Sequence, residues 1–181
     1  MSFFDLIKTR QSVRKYSGKP VEREKIEKCM VAARLAPSAG NSQPWKYVIV
    51  DDFELKEKVA KETYSSLVKF NKFAEQAPVI VVIVIEKAPL VTQIGAMIKK
   101  KEFSLIDIGI SSEHFCLQAA EQGLGTCMLG WFNEKPIKKL LKIPKNKTIG
   151  LLISLGYSES DYKLRDKIRK DTDKILSYNE Y

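Results

Sequence analysis

The chain has one histidine and three cysteines among 181 residues. A lone histidine excludes two-His zinc motifs and His-rich metal tracts. Cys29, Cys116 and Cys127 lie far apart, which excludes a CxxC pair and a disulfide framework. So sparse and odd a set suits a reducing compartment. A cysteine nucleophile needs a base, and His114 stands two residues from Cys116, on another face of any helix they share. Both are read as packed, inert positions. Long apolar runs are also missing. The longest, Val79–Ile85, ends at Glu86-Lys87, whereas a membrane span needs ~20 residues. The stretch Met1–Lys8 is short and carries Asp5, so no secretory signal is expected and the predicted location is cytoplasmic. Repeats and low-complexity tracts are absent, and a chain of this length predicts one domain over 1–181.

What is present is a globular composition, 44% hydrophobic and 29% charged. Lys and Arg number 31 against 22 Asp and Glu, a formal charge of +9. Part of the excess lies in Lys135, Lys138, Lys139, Lys142, Lys145 and Lys147. No aromatics interleave with these lysines and no Arg forks accompany them, so they read as a solvated face rather than a nucleic-acid site. Ser2 with Asp5 predicts a capping box and a helix to about Thr9. Ile26, Cys29, Met30 and Ala33 keep helical spacing, and Pro37 ends that helix near Leu35 or Ala36. Trp45–Val50 predicts a strand, and Asp51 with Glu54 a second capping box on a helix reaching about Thr63. Residues 64–77 read as partly helical. Val79–Ile85 and Ile149–Leu155 do not alternate and so predict buried central strands. Between them, Leu105–Gln122 is apolar almost all round, a buried helix capped by Gly123, and Thr126–Leu129 is a short strand. The expectation is an α and β domain with helices on both faces of a sheet. The tail is thinly apolar and is expected to wrap its own chain or pack on a partner, the partner being favoured.

Three constellations carry chemistry. In an extended Arg10-Gln11-Ser12-Val13-Arg14, residues 10, 12 and 14 share a face, which reads as an anion cradle or as surface charge. The loop Ala36-Pro37-Ser38-Ala39-Gly40-Asn41-Ser42-Gln43-Pro44 reads as a ligand-facing loop or a plain turn. Gly123-Leu124-Gly125-Thr126-Cys127 leads into Leu129-Gly130-Trp131, which permits close packing or a flat ligand. No GxGxxG lies between a strand and a helix there.

Arg10–Tyr16, Ala36–Trp45, Gly123–Cys127 and Ile153-Ser154-Leu155-Gly156-Tyr157, in this order and spacing, resemble the nitroreductase-like, FMN-dependent oxidoreductases over nearly the whole chain. The resemblance implies an α+β fold, three layers α/β/α with a mostly antiparallel central sheet. It also implies an intertwined homodimer in which a C-terminal arm, 157–181, is exchanged onto the partner subunit. The implied cofactor is FMN. Arg10, Gln11, Ser12 and Arg14 carry over to its phosphate and ribityl side, with the basic pair Lys167 and Arg169 completing the phosphate site. Pro37, Ser38, Asn41 and Gln43 carry over to the flavin from the opposite subunit. Leu129, Gly130 and Trp131 match the segment lying against the ring.

The implied activity passes hydride from NADH or NADPH through the flavin to a small organic acceptor, such as a nitroaromatic or quinone, in a ping-pong cycle. Same-fold flavin enzymes with other reactions, dehalogenation among them, and a non-catalytic flavin-binding protein are the alternatives. No metal and no obligate side-chain acid or base is implied. The chain departs from many relatives in a short stretch over 86–104, containing Pro89, Gly95 and Met97, where they carry a longer cover. It also has Trp131-Phe132 where several larger members place an acid.

Overall fold

The computed structural model describes residues 1–87, 89, 95, 98 and 101–181. The stretch over 86–104 read as a short cover, Met97 included, lies largely outside the described residues. The first helix, α1 (Phe3–Thr9), starts at the expected capping box. The Asp5 amide donates to Ser2 Oγ at 3.2 Å and the Ser2 amide donates back to Asp5 Oδ2 at 3.1 Å. α2 (Arg23–Arg34) ends at Leu35, ahead of Pro37 as expected. β1 (Trp45–Val50) leads into α3 (Phe53–Lys61), whose cap differs from expectation. Asp52, not Asp51, accepts from the Leu55 amide at 2.9 Å. Only a carboxylate three residues ahead of that amide reaches it. The helix also stops at Lys61, short of Thr63, whose hydroxyl donates to Ala60 O at 2.7 Å. In 64–77 the helical element is a single 3-10 turn, Lys72–Gln76.

β2 (Val79–Ile85), α4 (Phe103–Glu121), β3 (Gly125–Leu129), α5 (Glu134–Leu140) and β4 (Thr148–Gly156) complete the body. The four strands form one sheet in the order β1-β2-β4-β3, antiparallel at every pairing. β2 is central, with Val82 opposite Val48 on one side and Leu152 on the other. Its continuous apolar run divides by the two-residue period of a strand. Ile80, Val82 and Val84 enter a core with Val59, Ala60 and Ile137 of α3 and α5. Val79, Val81 and Ile83 enter a second core with Cys29 and Ala33 of α2 and Phe115 and Ala119 of α4. Three layers result, as expected.

α4 ends in a paired turn that depends on Gly123, whose φ is +75°. Leu124 N donates to Ala119 O at 2.8 Å and Gly123 N to Ala120 O at 3.0 Å, satisfying carbonyls the helix would leave orphaned. The start of α4 departs from the expected all-round burial. Leu105 and Ile106 are 46% and 54% exposed in the single chain, because only the face carrying Ile108, Phe115 and Ala119 meets α2 and the sheet. Residues 157–167 lie on the chain's own 10–17 segment, beginning with the Tyr16–Ser158 bridge and the bond from Ser17 N to Tyr157 O at 3.0 Å.

Segment 10–16 is laid along β3. Ser12 bridges Thr126, Val13 N donates to Thr126 O at 2.8 Å, and the Val13 side chain is buried in the core. A Cβ on Gly125 would stand 2.6 Å from Val13 Cγ2. Gly125→Ala therefore overpacks this contact and should lower stability by about 1–3 kcal/mol. Urea unfolding checks it: the midpoint should fall at constant slope, and an unchanged midpoint would mean that Val13 moves aside freely.

Candidate functional site

Arg10 closes α1, its amide donating to Leu6 O at 2.9 Å, and its ψ of 124° sends the chain extended along β3. The tail then runs back past this segment in the opposite sense. Lys15 pairs with Glu159 at 2.5 Å. The Tyr162 hydroxyl accepts from Arg14 N at 3.1 Å and lies 3.4 Å from Ser12 O. Gln11 Nε2 donates to Lys163 O at 3.3 Å, and Gln11 Oε1 accepts from Arg165 N at 3.2 Å and Nε at 3.3 Å. The Arg165 guanidinium also donates to Ser12 O, and Lys167 Nζ donates to Arg10 O at 2.5 Å.

Between the two segments lies a cavity of about 390 Å³, lined by Arg10, Gln11, Ser12, Arg14 and the run Arg165–Arg169. Arg10, Arg14, Arg165, Lys167 and Arg169 surround it, with Asp166 the one acid in its lining. Partial burial pushes the Lys167 ammonium below its ordinary pKa, and the cations of Arg10, Arg169 and Arg165 push it further the same way. Arg10 Nε is buried and stands 3.2 Å from Glu113 Oε1, yet it lacks a hydrogen bond of proper direction. Like charges crowded in this way, with donors left over, have the chemistry to receive a phosphate or carboxylate. Behind it sits the buried Cys127, whose thiol burial pushes upward while Arg14 pulls it part of the way back. Burial pushes the Cys29 and Cys116 thiols up to about 12, so none of the three is primed as a nucleophile. The half-buried His114 faces Ala32 O at 3.3 Å, as a structural residue would.

The loop carrying Pro37, Ser38, Asn41 and Gln43 does not line this cavity. Ala39–Asn41 forms a 3-10 turn, and the non-glycine residues Asn41 and Gln43 hold φ of 51° and 44°, an uncommon left-handed conformation. Buried Asp107 of α4 fixes the turn, accepting from Ala39 N at 3.1 Å with Ser42 Oγ 3.4 Å away. Ser38 Oγ accepts from Gln43 N at 3.0 Å, and Gln43 Nε2 donates to Asn41 Oδ1 at 3.1 Å. The loop's backbone is thus rigidly shaped, with Pro37, Asn41 and Gln43 exposed. In the third constellation Leu129 is 2% exposed and buried in the core, so its side chain is turned away from any ligand on the surface. Gly130 and Trp131 are exposed; Trp131 meets Phe70 edge-on at 6.3 Å, and its carbonyl accepts from Asn71 Nδ2 at 3.1 Å.

The structure therefore brings Arg10, Gln11, Ser12 and Arg14 together with Lys167 and Arg169, and leaves the other two groups elsewhere on the chain. Sequence reading missed Arg165, Glu113 and Asp107. Arg165 was detectable, since 165, 167 and 169 share one face of an extended run. Asp107 stood out as a carboxylate within an apolar helix. Glu113 carried no comparable signal.

A model of the nitroreductase family matches residues 7–157. A putative NADH dehydrogenase/NAD(P)H nitroreductase of Archaeoglobus fulgidus is 31% identical over 175 residues, covering 92% of each chain. An iodotyrosine deiodinase of Danio rerio is 28% identical over 200 residues, covering 96% of this chain and 66% of its own. Among solved structures, an FMN-dependent nitroreductase from Clostridium difficile superposes with a TM-score of 0.79 at 28% identity, covering 99% of this chain and all of its own. The family match takes in the whole sheet and the first half of the anion pocket, and the chain belongs to the nitroreductase family.

Proposed function

We propose that this chain is an FMN-dependent oxidoreductase that takes hydride from NADH or NADPH and passes it, in alternating half-reactions, to a small organic acceptor such as a nitroaromatic or quinone. One observation carries the reading. Arg10 and Lys167, 157 positions apart, meet at one cavity of cations with too few acids to neutralise it. The residues fit a phosphate, since the guanidinium forks and Ser12 supply directional donors and the half-buried Lys167 a point charge.

In this reading Arg10, Ser12, Arg14, Lys167 and Arg169 hold the FMN phosphate. Pro37, Ser38, Asn41 and Gln43 of the opposite subunit, shaped by Asp107, border the flavin. Leu129 contributes backbone only, while Gly130 and Trp131 stand beside the ring. FMN, when bound, supplies the hydride chemistry. No side-chain acid or base is assigned to the reaction, and the family names of relatives support the nicotinamide donor. The deiodinase relative supports a second reading, reductive dehalogenation, at the same site.

The functional unit is proposed as a homodimer. Phe3, Phe4, Val31, Leu35, Leu105 and Ile106 are exposed apolar residues on α1, α2 and α4, and Ile168, Ile175 and Leu176 are exposed on the tail. A second copy would cover these faces, with the arm beyond the pocket packing on the partner. The location is proposed as cytoplasmic; among the described residues no helix is long and apolar enough to cross a membrane.

The visible spectrum under anaerobic NADH and then NADPH tests the activity. A flavin band that either nucleotide bleaches, and that a nitroaromatic or quinone restores, is expected. Restoration by an iodinated tyrosine alone moves the acceptor to the second reading. A flavin band that neither nucleotide bleaches makes the chain a flavin carrier, and a protein that takes up no FMN ends the cofactor assignment. Sedimentation at micromolar concentration should give a dimer, weakened by deletion of residues 170–181; a monomer would refute the shared site.

Binding should also depend on pH through Lys167. A bound phosphate raises the pKa of this lysine from its lowered starting point. Affinity is therefore full below that lowered pKa and falls as pH rises through it. The preference for FMN over riboflavin should decline with pH before ordinary lysines titrate, and Lys167→Arg, which stays protonated, should abolish the decline. A decline that survives in Lys167→Arg would remove Lys167 from the phosphate site.

A further inference from the structure

We infer that Gln11 and Arg165 form a clip that docks the C-terminal strap beside the anion pocket and thereby delivers Lys167 to it; both act as positioning residues. The inference deepens the proposed phosphate site and rests on it.

The Gln11 amide is engaged by the strap at both ends. Its oxygen accepts from Arg165 N and Arg165 Nε, which uses both lone pairs, and its nitrogen donates to Lys163 O. Arg165 in turn donates from its guanidinium to Ser12 O. These bonds tie residues 163–165 to residues 11–12, and Lys167 Nζ then reaches Arg10 O two residues further on.

The strap needs such a tie because little else holds it. Leu164 is 55% exposed and Ile168 is 92% exposed, so neither anchors it in the core. Tyr162 packs against the sheet-side core and is the last apolar anchor before the pocket. From there on, the strap brings Arg165, Lys167 and Arg169 toward Arg10 and Arg14, against their mutual repulsion. Neutral bonds from an amide and to backbone carbonyls hold these cations in place without cancelling their charge. A carboxylate in place of Gln11 would also hold the strap, but it would compete with the anion for the same guanidinium groups.

A double-mutant cycle tests the clip. Dissociation constants for FMN and for riboflavin, which lacks the phosphate, are measured by flavin fluorescence for Gln11→Ala, Lys167→Ala and the double variant. Each single change should weaken FMN by about tenfold or more, the scale of a lost bond to a charged group, and leave riboflavin within about twofold. The double variant should be no weaker for FMN than Gln11→Ala alone, because without the clip Lys167 no longer reaches the pocket. Effects that multiply would overturn the inference, showing that Gln11 acts independently of Lys167. Weakening of riboflavin in step with FMN would overturn it too, as general damage. Arg165→Met is read against Lys167→Ala in the same way should Gln11→Ala not fold.

Amide hydrogen exchange judges the clip without flavin. In the full chain, residues 163–169 should exchange faster in Gln11→Ala than in the wild type, and millimolar inorganic phosphate should slow them in the wild type. Unchanged exchange in the variant would refute the clip. Both exchange effects together with a wild-type chain that binds no flavin would refute the cofactor reading alone.

Discussion

Val13 occupies the space where a side chain on Gly125 would stand, and the placement of the pocket's cations depends on that contact. The residue is buried in the core on the β3 side, and its amide is bonded to Thr126 O. With Val13 held, the alternation of an extended chain turns Ser12 and Arg14 the other way, toward the cavity. The same segment then offers Gln11, Ser12 O and Arg10 O as the surface on which the tail lies. A close approach of two backbones, permitted by a missing Cβ, thus fixes where a distant part of the chain must go.

The cavity is built against its own electrostatics. Its cations stay close because backbone carbonyls and the Gln11 amide hold them, and such bonds satisfy donors without neutralising charge. Glu113 is the partial exception, facing Arg10 from α4. It steadies that guanidinium while leaving the rest of the field in place. An arriving dianion would relieve the repulsion, so that charge held unpaired in the folded chain favours the ligand.

Much of this was legible in the residues and some was not, for physical reasons. The run Val79–Ile85 declared a strand covered on both faces because both of its period-2 faces are apolar, and the two cores divide along that alternation. Gly123 declared the end of α4 because few other residues take its φ. The cap of α3 was misplaced by one residue, since adjacent carboxylates at 51 and 52 look alike until the backbone chooses which one faces Leu55 N. Leu129 looked like part of a flat surface with Gly130 and Trp131. The alternation of β3 instead puts Met128 outward and Leu129 inward. The apolar anchors of the tail are few, and they leave its path open between its own chain and a partner. The contacts that seat residues 157–167 on their own chain are mostly polar, and a search for hydrophobic periodicity does not register them.

Net charge alone would have misdirected attention to residues 134–147, where the lysines are densest. There Lys138 is paired with Glu134 at 2.7 Å and Lys147 with Glu86. Lys135, Lys138, Lys139, Lys142 and Lys145 line a hollow of about 800 Å³ beside α5, all of them from one chain segment. Two of the segment's cations are paired with carboxylates, and Glu134 stands in the same lining as the rest. In the pocket a similar number of positive groups converge from two chain segments onto one volume, with backbone partners in place of acids. Convergence from distant segments and the kind of partner, more than the number of positive residues, set the two clusters apart, and both are properties that only the folded chain possesses.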